Sequence, residues 1–312
     1  MSVWGITDGS AGMTANVKAV LEALGLPYML KTCMRKAPYV WLPNDYCGHA
    51  LRQLTPESDA LIPPWPQLVV TCGRRSAPLG AAIRRASGGK TKAVHLQHPR
   101  MRLNAFDLVV PMQHDRASGP NIFPTHFALH RITPALLQDA AACWQPRFSH
   151  LPRPYIAVLI GGSTHRYTLT PRRMEKLVQQ LEQARSKGSL LITPSRRTGG
   201  KNIARLKRAF IGSDAYVYDL SGDNPYLGLL GLADYLIVTD DSVNMMTEAA
   251  ATGKPLYLLS LPDHVGTKPA RFAQMLIAKG IARPLGAPWG QWHYTIPDEA
   301  ERVAQAIRKL PA

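Results

Sequence analysis

Cysteine is scarce, with Cys33, Cys47, Cys72 and Cys143 the four in a chain of 312 residues. No two form a C-x-x-C pair, which argues against a zinc site and leaves no disulfide framework. They read as reduced, structural thiols. Long apolar runs are also missing. No segment approaches the ~20 consecutive apolar residues of a membrane span, and "MSVWGITDGS" lacks the basic start and apolar core of a secretory leader. A cytoplasmic location is expected.

Acid is scarce as well: 21 Asp and Glu stand against 37 Lys and Arg, a formal charge of +16. The deficit is uneven, because no acidic residue lies between Asp59 and Asp107, where Arg74, Arg75, Arg84, Arg85, Lys90, Lys92, Arg100 and Arg102 fall. Nucleic acid is not the expected partner, since these positions lack interleaved aromatics and no nucleic-acid module is present. Phosphorylated small molecules and anionic lipid surfaces fit better.

What is there is an apolar fraction of 46%, ample for buried cores. "VWGITDG" followed by "TANVKAVLEALG" reads as strand, loop and helix, and "QLVVTCG" with "SAPLGAAIRRASGG" repeats the unit, Ser76 placed to cap its helix. "TKAVHLQHP" and "FDLVVPMQHD" are further buried strands. The proline-rich stretch "WQPRFSHLPRP" at 144–154 reads as a linker, after which the alternation restarts with "YIAVLIGGSTHRYTLT" and runs to "KPLYLLSLP". An α/β chain of two Rossmann-like, doubly wound parallel sheets is predicted, with domains at 1–148 and 149–290 and a terminal helix within 291–312.

Ligands in such folds lie at the carboxyl ends of strands. In "TDGSAGMT", Gly9, Ser10 and Gly12 form a turn ahead of a helix suited to an anion. It is not G-x-G-x-x-G, so no dinucleotide cofactor is expected. In "LIGGSTHRYTLT", Gly161 and Gly162 allow close backbone approach, Ser163 and Thr164 add hydroxyls, and His165 and Arg166 add charge, a set suited to a diphosphate. Arg196 and Arg197 end the next strand. In "TDDSVNMMTEAAATGKP", Asp241 or Ser242 caps a helix on which Glu248 can reach a ribose diol.

These stretches, with "VVTCGRRSAPLG", "LQHPRMRLNAFDLVVPMQHD" and "HRITPALL", resemble the bacterial members of the mitochondrial fission (elongated-mitochondria) protein family. The family looks like a relative of GT-B glycosyltransferases, which implies two domains facing across a cleft and a terminal helix crossing back to the first. Its second-domain pattern is similar to that of the transferase adding N-acetylglucosamine to the lipid precursor of peptidoglycan. The resemblance implies that Gly161, Gly162 and Ser163 meet a donor diphosphate, that Ser242 and Glu248 serve the nucleotide, and that the Gly9–Gly12 turn faces the acceptor. A glycine is expected where Phe127 stands.

The implied activity is metal-independent transfer from a nucleotide-sugar to a cell-envelope lipid or saccharide, with no cofactor. "TDD" lacks the D-x-D spacing of a metal site, and helix N-termini with cationic side chains can neutralise the leaving diphosphate. His114 with Asp115 is the first candidate base, then His98 and Asp8. Arg74 and Arg75 can bind a phosphorylated acceptor or, with Arg84 and Arg85, rest on the inner face of an anionic membrane. A non-catalytic GT-B-like binding or scaffold protein, and a nucleotide-sugar epimerase, are the alternatives.

Overall fold

The computed structural model describes residues 2–46, 49–115, 117–164, 167–261 and 266–311. In chain order the first elements are β1 (Val3–Thr7), α1 (Ala11–Leu24), β2 (Tyr28–Thr32), β3 (Leu68–Cys72), α2 (Ala77–Ala86), β4 (Lys92–Leu96) and β5 (Leu108–Val110). There follow α3 (Pro134–Phe148), β6 (Tyr155–Ile160), α4 (Pro171–Arg185), β7 (Ser189–Pro194), α5 (Gly200–Ala209) and β8 (Ala215–Val217). The chain ends with α6 (Tyr226–Leu232), β9 (Tyr235–Thr239), α7 (Val243–Ala250), β10 (Leu256–Leu259), α8 (Lys268–Ala278), β11 (Ala282–Pro284) and α9 (Glu299–Arg308).

Two compact units result, one of residues 1–131 with 297–312, the other of residues 132–296. Each holds one parallel sheet, ordered β2-β1-β3-β4-β5 in the first and β11-β10-β9-β6-β7-β8 in the second. Both orders are doubly wound. They reverse direction between β1 and β3, and between β6 and β9, and a crevice opens at such a switch point. Every residue of β1, β3, β6 and β7 is buried, as continuous apolar runs covered by helices on both faces require.

The boundary falls earlier than the proline pattern predicts. Residues 144–148 complete α3, with Pro146 inside the helix. Thr133 caps α3 by accepting from the Leu136 amide. Trp144 packs so closely on α6 that a Cβ at Gly228 would stand 2.4 Å from its ring. Beyond the helix, Asp234 accepts two hydrogen bonds from Arg153 and one from the Tyr155 amide, pinning 153–155 to the start of β9. Proline density marked helix ends and tight corners here, not a hinge.

Two further expectations need correction. Ser76 heads α2 without capping it: its hydroxyl donates instead to the Cys72 carbonyl at 2.6 Å. Helix α1 starts at Ala11, so Gly12 lies within the helix and only Gly9, at φ +79°, takes the left-handed turn. Among the described cysteines Cys33, Cys72 and Cys143 are free, and burial pushes the first two thiols up to about 12.

Helix α9 shares the first unit's core, where Val303, Ala304 and Ile307 meet Val17, Val20, Leu21 and Leu24 of α1. Its first turn also carries a buried carboxylate. Glu299 accepts from the amides of His126 (2.7 Å) and Phe127 (3.3 Å) and pairs with Arg302. Phe127, where a glycine was expected, is buried and its backbone is held by this carboxylate. Replacing Glu299 by Ala leaves two amides without an acceptor and should cost about 2–3 kcal/mol. Urea denaturation of Glu299→Ala checks this, and a change below about 0.5 kcal/mol would refute it.

Candidate functional site

At the β6/β9 switch point of the second unit, two adjacent carboxylates turn to opposite sides. Asp240 accepts from Ser260 Oγ (2.7 Å) and the Leu261 amide (2.9 Å), tying β9 to the end of β10. Asp241 turns toward β6. Its buried carboxylate accepts from Thr239 Oγ1 at 2.6 Å and the Gly162 amide at 3.0 Å, and pairs with Arg197 Nη1 at 2.9 Å. Asp241 is therefore neither the helix cap nor open to a ligand. Ser242 is the cap of α7, accepting from the Met245 amide.

The glycine turn after β6 serves this carboxylate. A Cβ at Gly161 would lie 2.1 Å from the Asp241 oxygens, and one at Gly162 2.2 Å from the Arg197 carbonyl oxygen. Its amides are used internally: Gly161 donates to Thr239 Oγ1, Gly162 to Asp241, Ser163 to the Arg197 carbonyl and Thr164 to the Tyr167 carbonyl. The Ser163 hydroxyl accepts from Leu169. The backbone donors of the expected diphosphate cradle, Gly161, Gly162, Ser163 and Thr164, therefore already have partners within the protein. Arg166 and His165 lie outside the described residues.

Unengaged polar groups collect one step further on. The amides of Val243 and Asn244, in the first turn of α7, have no partner among the described residues. They are the orphan donors of a helix N-terminus, with the positive end of its dipole. Met245 and Glu248 of the same helix line a pocket of about 450 Å³, with Ile160 and Leu220 in its apolar wall and Arg196 and Tyr226 among its polar groups. Tyr226 donates its hydroxyl to Glu248 Oε2 at 2.5 Å, while Oε1 has no partner among the described residues. Desolvation raises the Glu248 carboxyl above its ordinary value, although the Tyr226 hydrogen bond favours its ionised form. Burial, with the carboxylate second, lifts the Tyr226 phenol well above its own. Leu220 adopts φ +69°, a backbone strain of the kind that collects at ligand sites.

At the β1/β3 switch point of the first unit, a groove of about 480 Å³ is lined by Asp8, Ser10, Trp41, Arg74, Arg75 and Gln97, among others. Asp8 Oδ1 accepts from the Ser10 amide (3.1 Å) and hydroxyl (2.6 Å), and Oδ2 lies 3.5 Å from Arg75. Gly9 donates to Thr7 Oγ1. Of the base candidates, Asp8 alone is in this groove. His98 follows β4 and accepts at Nδ1 from the Arg100 amide, beside Gln97 at φ +77°. His114 and Asp115 share a single 3-10 turn after β5, with Nε2 to Oδ1 at 3.9 Å.

Three residues that shape these sites lay outside the predicted set. Tyr226 stands on α6, 22 residues before its carboxylate, with no spacing to signal the pair. Arg197 follows Arg196 on the short 3-10 turn after β7, not on the strand end where the sequence put both, and only the fold turns it onto Asp241. Trp41 lies outside the basic stretch and is carried to Arg74 and Arg75 by the chain's return.

Residues 11–310 match the family model described as mitochondrial fission ELM1. The chain belongs to that family. It is 32% identical over 280 residues to the mitochondrial fission protein ELM1 of Arabidopsis thaliana, covering 79% of this chain and 64% of that protein's length. An uncharacterized protein of Rickettsia prowazekii is 27% identical over 99% of this chain and 98% of its own. UDP-GlcNAc 2-epimerase from Methanocaldococcus jannaschii, 12% identical, superposes with a TM-score of 0.58 over 99% of each chain. A second structure of that epimerase, in complex with UDP-GlcNAc and UDP, gives 0.52 at 11% identity over 99% of each chain. These likenesses place the ELM1-family chain among GT-B-like folds, with two parallel-sheet α/β domains.

Two outcomes follow from this geometry. Gly161→Ala drives a methyl into the Asp241 carboxylate and should cost about 3 kcal/mol, whereas in an Asp241→Gly background the same change should cost at least about 1 kcal/mol less. A double-mutant cycle by chemical denaturation checks the coupling, and additivity would refute it. The raised Glu248 carboxyl stabilises the fold fully below the unfolded carboxylate value, and that contribution is lost as pH rises through the folded one. Glu248→Gln, which still accepts from Tyr226, should then melt higher than the parent near pH 8 and equal to it near pH 4, read by thermal scans across that range.

Proposed function

We propose that this ELM1-family protein is a GT-B-type glycosyltransferase that moves a sugar from a nucleotide-sugar donor, without a metal, to a lipid or saccharide acceptor of the cell envelope. The observation that carries the reading is Glu248. Its Oε1, without a partner among the described residues, sits on the wall of a half-apolar pocket that also holds the Arg196 guanidinium, and the helix carrying it begins with two amides, of Val243 and Asn244, that likewise have none. That combination matches a nucleoside diphosphate group by group: apolar wall for the base, carboxylate for the ribose diol, cation and helix N-terminus for the phosphates. The UDP and UDP-GlcNAc in the structurally similar epimerase support the same ligand class.

The phosphate role moves from the glycine turn to the Val243 and Asn244 amides and Arg196. The Asp241–Arg197 pair becomes the scaffold that holds these loops in place, and the other Arg197 nitrogens can still face a phosphate. The base on the first unit is His114 oriented by Asp115, ahead of His98 and Asp8. Arg74 and Arg75, beside the Gly9–Ser10 turn, take the acceptor's anionic group. The site of action is the inner face of an anionic membrane.

A panel of uridine and cytidine diphosphate sugars should raise the melting temperature. Glu248→Ala should weaken binding ten- to a hundredfold, the order expected for hydrogen bonds to a charged group. Release of nucleotide only when envelope extract is present identifies transfer, release without acceptor identifies epimerisation, and binding without turnover identifies a scaffold. No shift with any nucleotide would sink the reading.

A further inference from the structure

We infer that the turn of residues 36–42, with Arg74 and Arg75, docks on the surface of an anionic lipid bilayer. This deepens the membrane part of the function proposed above and requires neither nucleotide nor transfer.

Trp41 is 73% exposed and Leu42 39%, a costly placement for side chains that ordinarily find cover. The turn holding them is nevertheless well built. Val40 donates to the Lys36 carbonyl, Trp41 to that of Pro38 and Leu42 to that of Tyr39. Behind it the buried Asn44 side chain donates to the carbonyls of Arg74 and Pro99, both at 2.8 Å, and accepts from buried Arg35 at 3.1 Å. Arg74 Nη2 reaches the Leu42 carbonyl at 3.4 Å, joining the basic loop after β3 to the apolar turn. The apolar tip is therefore held out by a satisfied polar base.

The chemistry of the rim selects the occupant. Lys36 and Arg74 are exposed, the Arg75 side chain is 60% exposed, and all three stand beside the Trp41 turn. Asp8, the acid of this groove, is engaged by Ser10 and Arg75, and Asp45 accepts from the Arg102 amide. An indole and a leucine ringed by cations suit the interface of a bilayer, where the ring sits at headgroup level and the cations meet lipid phosphates. The contact also differs from one made by basic helix α2, because Arg84 is tied to Asp107 by two hydrogen bonds.

Co-sedimentation of the full chain, without nucleotide, with phosphatidylglycerol-containing and with pure phosphatidylcholine vesicles tests this. Partition onto the anionic vesicles is expected, falling about tenfold for Trp41→Ala and partly restored in Trp41→Phe. Arg74→Gln with Arg75→Gln should lower the partition and flatten its salt dependence. Because Trp41 is exposed, Trp41→Ala should keep the parent's melting temperature. Equal binding to both vesicle types, partition indifferent to Trp41→Ala, or self-association abolished by that change would overturn the inference, the last assigning the turn to a second copy. Vesicle binding can fail while nucleotide still shifts the melting temperature, and the reverse, so the two readings fall separately.

Discussion

The second unit depends on one buried carboxylate. Asp241 sits where the sheet reverses direction, between strands that are neighbours in space but separated by 78 residues and more along the chain. Its oxygens close the ends of β6 and β9 together through a hydroxyl, an amide and a guanidinium. A buried charge is tolerable only with such complete partnering. Everything near it follows from that need: no side chain at 161 or 162, Thr239 at the last position of β9, and Arg197 on a short turn stapled by Thr198 to the carbonyls of Ile160 and Gly161. The first unit answers a similar problem with Glu299, whose carboxylate holds a loop more than 170 residues away in sequence. In both, an ion pair at the protein's surface finishes a carboxylate that is itself inaccessible.

The same reasoning separates framework from site. Polar residues at strand ends are expected to be functional in this fold, yet most of them here are internally satisfied. What distinguishes the pocket below α7 is the reverse condition. Among the described residues, Glu248 has an unused oxygen in a desolvated place, and the Val243 and Asn244 amides at the helix start have no acceptor. Keeping such groups unengaged costs stability, and under the nucleotide-sugar reading proposed above the ligand's diol hydroxyls and phosphate oxygens would recover it.

Much of the fold was legible because period and burial agree. Continuous apolar runs such as "YIAVLI" and "SLLITP" can only be strands covered on both faces, and helical spacing between them leaves parallel crossovers as the connection. Strand β2, "YMLKT", was not legible, since it is a half-exposed edge strand with no clean pattern. Helix α3 was obscured by Pro146 and by a sequence whose proline count suggested a linker. Of the site, Glu248 and Arg196 could be placed from strand–loop–helix order alone. The role of the glycine pair could not, because a glycine that admits a phosphate and one that admits a neighbouring carboxylate look identical in sequence. The difference lies in Asp241, nearly eighty residues on.

That ambiguity bears on how Gly-Gly turns in this fold should be read. A turn with free amides is a cradle, while a turn whose amides are bonded is a joint. Here the turn is a joint, its amides from Gly161 to Thr164 all bonded, and that ties the strand ends beside the pocket together. The Asp241–Gly162 contact fixes the loop from which α7 departs, and Ser242 then sets the helix's first turn. Glu248 follows between one and two turns along the same helix, so the spacing from phosphate donors to diol acceptor is set by helix geometry rather than by a mobile loop. The two aspartates and the two glycines thus shape the pocket only through position, and the side chains that face into it with polar groups include Arg196, Tyr226 and Glu248.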